Sequence, residues 1–292
     1  MKRVVKLSVT AGELVERMPN WLDAAREIVK PLLPLNEVIY PAGVDFIFDG
    51  HPVALEEVKG RLKAYGFRVE SIERREYTTK EFQAAEFLHL GCGAFVDSVS
   101  KRVGEEWIGT LRWDWELLCP HCDFFVEKWD LAALRIRTAP KGYQFAHVDY
   151  SGPQVVSALL AEALEQANFS GLALIPVKGQ EPSVWYVIQA THILPPMMVP
   201  PTRMKRTSRA TSQCAPDHAW SNPDSELFYR RKGFQALDFN YTYEVFGETT
   251  RAKDGSIVGA TGRYLVISNQ VYQLLRQLEV CQLVYEPIRF VE

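Results

Sequence analysis

The stretch WIGTLRWDWELLCPHCDFFVEKWD, Trp107 to Asp130, decides how this chain is read. After Leu111 the tryptophans at 113 and 115 alternate with polar residues, the period of a strand with one wet face. That pattern runs straight into Cys119-Pro120-His121-Cys122, and apolar and charged residues alternate again over 123–136. Two cysteines separated by two residues at a strand end can grip one tetrahedral ion from a tight turn, a zinc knuckle. The ion's charge keeps both thiols deprotonated. Thioredoxin-like redox sites use the same spacing, but there the cysteines open a helix inside a βαβ unit. Cys122 is instead followed by DFFVEKWDL, which lacks helical periodicity. Structural zinc is the better reading.

A closed site needs two more ligands. Cys214-Ala-Pro-Asp-His218 lies in a segment rich in Ser, Pro and Asn, with little apolar content to anchor it. A metal bond would supply that anchor, so Cys119, Cys122, Cys214 and His218 are the expected zinc ligands. The competing pair is His89 and Cys92, upstream beside Gly93. Cys281 alternates with apolar neighbours and is expected in the core. Five cysteines, an odd count, argue against a disulfide framework.

Working outward, residues 3–9 and 44–48 read as strands, and 11–30 as a helix through Leu14, Met18, Leu22, Ala25 and Ile28, stopped by Pro31 and Pro34. A second helix spans 52–65 with Gly66 as its cap, followed by a strand in FRVESIERREY. Thr78 and Glu81 form a capping box for a helix carrying Phe82, Ala85, Phe87 and Leu88. Beyond the knuckle, 153–168 reads as a helix, and 171–177 and 184–192 as a hairpin joined by 178–183. Arg203, Lys205, Arg206 and Arg209 form a basic tract expected to be exposed and mobile. Strands are expected at 237–246 and 263–268, with a turn at Lys253-Asp254-Gly255 between them. Ser268 caps a final helix with a stripe of Val271, Leu274, Leu275 and Leu278, and a last strand follows. The expected fold class is α+β, with mixed and antiparallel sheets and a zinc-ribbon-like element. A small α/β domain over 1–90 precedes a β-rich domain over 91–292, which carries the inserted helix and hairpin.

The 292 residues are 47% hydrophobic, ample for a core, and the formal net charge of -3 offers no global attraction to nucleic acid or anionic membrane. The acidic companions of the tryptophans, Glu105, Glu106, Asp114 and Glu116, repel phosphate, so Trp107, Trp113, Trp115 and Trp129 read as packing residues. The first residues lack the apolar core of a signal peptide, and no run approaches a membrane span, so a cytoplasmic protein is expected. No phosphate loop, dinucleotide fingerprint, nucleophile elbow or zinc-hydrolase motif occurs. His51 reads as a helix-start residue. His147, near Asp149, reads as a strand histidine rather than an acid–base catalyst, and no catalytic residue is assigned.

At Cys119–Cys122, at Cys214–His218, at Trp185-Tyr186 and in the closing RYLVISNQVYQLL, the chain loosely resembles bacterial proteins akin to the double-CXXCG family. That family includes immunity proteins of contact-dependent toxins. The chain carries one C-x-x-C rather than two, and Asp123 stands where the family has glycine. The resemblance implies a non-enzymatic, zinc-stabilised protein that neutralises a toxin partner. The alternatives are a zinc-ribbon protein associated with nucleic acid and an enzyme of unrecognised type.

Overall fold

A computed structural model describes all residues except 1, 12–16, 41, 42, 51, 104, 105, 110, 111, 138–141, 150, 151 and 180–183. For 3, 72–74, 100–103, 106–109, 112, 113, 178, 179 and 184 it describes the backbone alone. Leu14, His51, Glu105 and most of the expected hairpin turn therefore lie outside the described residues, as do the side chains of Glu106, Trp107 and Trp113. The chain divides into two compact units, Met1–Glu81 and Phe82–Glu292.

The first unit is a four-stranded antiparallel sheet in the order Asn36–Tyr40, Gly43–Asp49, Lys2–Thr10, Arg68–Glu76. With helices Trp21–Val29 and Leu55–Ala64 in the two crossovers, it forms a pair of split β-α-β units. The period of two sends Val5, Leu7 and Val9 to one face, opposite Phe48, Phe46 and Val44, and all six are buried. Ala25, Ile28 and Val29 of one helix and Leu55, Val58 and Leu62 of the other join the same core. Burial stabilises each such aliphatic or aromatic side chain by roughly 1.5–3 kcal/mol. The expected helix over 11–30 is broken: Arg17 is helical, Met18 is not, and after a turn at Pro19-Asn20 helix Trp21–Val29 begins. Proline within a helical pattern removes an amide donor and clashes with the preceding turn. The expected capping box forms, with the Thr78 amide donating to Glu81 Oε2 at 2.9 Å and the Glu81 amide to Thr78 Oγ1 at 3.3 Å.

The second unit contains a six-stranded and a five-stranded sheet, both mixed, with smaller antiparallel hairpins and one parallel pair. Helices and several mixed and antiparallel sheets make this an α+β protein. Helix Ala158–Gln166 buries Leu160, Ala161 and Leu164, and helix Asn269–Gln277 buries Val271, Tyr272 and Leu275. Both stripes share one core with Leu88, Leu90, Phe145, Val156, Phe239 and Ile267 from the two sheets.

Three elements differ from the expectation. Phe87 and Leu88 belong not to the capping-box helix, which ends at Ala84, but to strand Phe87–Cys92, inside the five-stranded sheet. The segment read as a helix from 153 is a strand, Gln154–Ser157, that turns into a helix only after Ser157 caps it by accepting from Leu160 N. Two consecutive β-branched residues, Val155 and Val156, favour the strand there. The strand expected over 237–246 breaks after Phe239–Tyr241, where Thr242 Oγ1 donates to the Glu244 carbonyl at 2.8 Å and the buried Glu244 carboxylate accepts from Met197 N. A local side-chain bond such as that of Thr242 competes with a ladder. Among the described residues, no helix is long and apolar enough to cross a membrane.

Candidate metal centre

Strands Arg112–Cys119 and Phe124–Asp130 pair antiparallel, Trp115 opposite Glu127 and Cys119 opposite Phe124. The alternation read from the sequence thus folds into a hairpin with the two cysteines at its tip. Asp123 closes the turn with φ 53°. This is the left-handed region, where glycine sits without penalty and aspartate is better tolerated than most residues. Asp123 therefore occupies a position of glycine-like backbone shape. Cys122 leads into a strand, not a helix, so the redox-motif geometry is absent.

The knuckle rests on the hairpin formed by Phe246–Arg251 and Ile257–Gly262. Phe125 N donates to Thr249 Oγ1 at 3.1 Å, and Thr261 Oγ1 donates to the Phe125 carbonyl at 3.2 Å. Cys119, Cys122 and Phe124 are buried in a small cluster with Cys214, Ala219 and Val245.

The loop carrying Cys214 and His218 folds over this cluster. Val245 N donates to the Asp217 carbonyl at 2.7 Å and Trp220 Nε1 to the Pro216 carbonyl at 2.7 Å. The ligand-type atoms of Cys119, Cys122, Cys214 and His218 all lie within 4.8 Å of one another, and all four residues are buried. This set can hold a metal ion. His89 and Cys92 stand apart from it: the His89 ring stacks on Tyr264 at 4.3 Å, and Cys92 Sγ accepts from Ala94 N at 3.3 Å. Cys281, expected in the core, is exposed, its thiol 3.7 Å from the Gly142 carbonyl. It lies in irregular backbone just ahead of strand Leu283–Pro287.

The electrostatics of the cluster are in conflict without a cation. Burial, then hydrogen bonding to Cys214 and Cys119, pushes the Cys122 thiol up to about 12. The Thr211 hydroxyl and amide, both 3.3 Å from Cys214 Sγ, pull that thiol down to about 6. Three thiols this close cannot all ionise in a buried site unless a positive ion joins them. His218 is already oriented. Its Nδ1 lies 2.8 Å from Asp217 Oδ1, so Nδ1 carries the proton, and Nε2 turns its lone pair to within 3.4 Å of Cys122 Sγ.

The basic tract is exposed at Arg203, Lys205 and Arg209, as expected, but its arginine side chains have partners. Met204 is buried, and Arg203 pairs with Asp224 at 3.1 Å. Arg206 donates to the carbonyls of Ala215 and His218 at 2.8 and 3.3 Å, with its guanidinium over Trp220. Arg209 donates to the Thr249 carbonyl and to Thr250 Oγ1. Arginine forks and carbonyls complement each other, so these positive charges serve to lace the ligand loop to the hairpin.

Comparison of the chain with protein-family models, with curated proteins and with solved structures finds no match.

Proposed function

We propose that this protein is a non-enzymatic binding protein stiffened by one structural zinc ion. The observation that carries the reading is the closed, buried donor set of three thiols and one imidazole. Thiolate and imidazole donors together suit zinc, and four-coordinate Cys3His is a common structural zinc set. Tetrahedral bonds of about 2.3 Å to sulfur and 2.0 Å to nitrogen place ligand atoms about 3.5–3.8 Å apart. The 3.4 Å separation of Cys122 Sγ and His218 Nε2 suits that spacing. A catalytic zinc keeps a position open for water, whereas here four protein donors complete the shell. The knuckle hairpin is the zinc-ribbon-like part. The second pair of ligands comes from an irregular loop rather than from a second hairpin.

The partner is read as a bacterial toxin, which this protein would neutralise in the cytoplasm as an immunity protein. That part rests on the residues resembling the double-CXXCG family. An inhibitor gains affinity from a surface that is already rigid before binding, and a metal cross-link between hairpin and loop supplies rigidity. The test is co-expression of this chain with the proteins encoded beside it in its genome. Restored growth with one otherwise toxic neighbour, lost with Cys119→Ser, supports the reading. No protection against any toxic neighbour overturns it.

A further inference from the structure

Strand Phe124–Asp130 has a part to play away from the metal. Its alternate residues Phe125, Glu127 and Trp129 share one face. Glu127 borders two clefts of ≈ 600 and ≈ 390 Å³ that have His147, Gln154 and Arg263 as common walls. His147 and Gln154 are directly opposed on paired strands, which sets their side chains next to one another on the sheet.

Each of these groups offers a free acceptor. The Glu127 carboxyl has no hydrogen bond or ion pair among the described residues, and burial alone pushes its pKa up to about 7. His147 Nδ1 lies 3.2 Å from the Gly152 carbonyl. A carbonyl can only accept, so the proton sits on Nδ1 and Nε2 keeps a lone pair. Burial lowers the His147 pKa, which favours that neutral form. Gln154 adds a carboxamide oxygen without a partner among the described residues. Two positive groups also stand on these walls. Arg263 donates to the carbonyls of Thr242 and Tyr243, and Lys128 faces Glu116 at 3.9 Å.

We propose that this groove binds an organic cation, a primary ammonium or guanidinium, with Glu127 as counter-ion and with His147 Nε2 and Gln154 accepting its N–H groups. A head group that only donates is what three clustered acceptors lack. A half-buried carboxylate without a partner is unfavourable, and a charge-assisted hydrogen bond relieves it. Trp129 and Tyr241 line the larger cleft, and aromatic walls suit a cation with an apolar stem. The inference is independent of which ion the cysteines hold and of the toxin reading. Two sources carry such a head group, a free small amine and the Lys or Arg side chain of a partner protein.

The test is calorimetric titration of the full-length, metal-loaded chain with spermidine, with agmatine, and with end-blocked Gly-Lys-Gly and Gly-Arg-Gly, with uncharged n-pentanol as control. The cations should bind and n-pentanol should not. Glu127→Gln should weaken binding about tenfold or more with metal content unchanged. Tighter binding of a blocked peptide identifies a partner's side chain as the source, and tighter binding of agmatine or spermidine identifies a free amine. A second readout uses wild-type protein alone: the Glu127 carboxyl carbon, followed by NMR, should titrate at lower pH once the cation is present. Absence of binding up to about 10 mM, equal binding by n-pentanol, or an unmoved Glu127 titration would overturn the proposal.

Discussion

Asp217 Oδ1 lies 2.8 Å from Nδ1 of its neighbour His218, whose other ring nitrogen faces the thiol of Cys122. A carboxylate behind a ligating imidazole fixes the tautomer and the ring plane and raises the basicity of the ligating nitrogen. Asp217→Ala should therefore weaken metal binding about 10–100-fold while all four ligands remain. Competition with a chromophoric chelator measures this, and an unchanged affinity would mean that the carboxylate does not orient the ring.

The arginine tract should report on the ion. Arg206 holds the carbonyls of Ala215 and His218, on either side of the ligand loop, and Arg209 holds the hairpin beneath. With metal bound, trypsin should cut slowly after Arg206 and Arg209. After chelation these sites should become among the first cleaved, because exposed flexible backbone is the preferred substrate. Mass spectrometry of the fragments decides it: equal rates in both states would uncouple the tract from the site.

Asp123 separates backbone shape from charge. Its φ of 53° favours glycine, and its ion pair to Arg251 at 3.6 Å is exposed. Exposed pairs contribute little. Asp123→Gly should leave stability within about 1 kcal/mol of the parent, whereas Asp123→Val should lower it by about 1–2 kcal/mol. Denaturant midpoints test both, and equal effects of the two substitutions would contradict the turn geometry.

Glu127 predicts a pH trend. Its folded pKa, near 7, lies above the ordinary 4.5, so the folded state holds this proton more tightly than the unfolded chain does. The resulting contribution is fully present below pH about 4.5 and is lost as pH rises through about 7. Glu127→Gln should remove that part of the decline in unfolding free energy, making the mutant relatively more stable at pH 8 than at pH 5. Parallel stability profiles for parent and mutant would show that the carboxyl is solvated.

The site was more legible in the sequence than the elements around it. Cysteine and histidine carry their chemistry with them, so Cys119, Cys122, Cys214 and His218 could be grouped from spacing and from the poor apolar content of their loop. The Asp217 relay follows from adjacency alone and was within reach. Period-two and period-3.6 patterns located the strands around Leu7 and Trp115 and the helices ending at Gly66 and starting at Ser268. They failed at 153–168 because a strand runs without interruption into a helix there, and both halves are apolar. They failed over 242–245 because Thr242 bonds a backbone group locally and Glu244 bonds the distant Met197 amide, neither of which periodicity records. The arginine tract looked free because Arg206 and Arg209 donate mainly to carbonyls, which every sequence has and none displays. The groove has Glu127 of one hairpin and the register pair His147–Gln154 of another sheet as its walls, and that juxtaposition is tertiary information.

The central claim is a buried metal bridge between a hairpin and a loop ninety residues apart in order of sequence, made by three sulfurs and one nitrogen. X-ray absorption at the zinc edge of protein purified without chelator tests it most directly. The account predicts close to one zinc per chain, with three sulfurs at about 2.3 Å and one nitrogen at about 2.0 Å. A metal-free protein, or a shell of oxygen and nitrogen with fewer than three sulfurs, would contradict it.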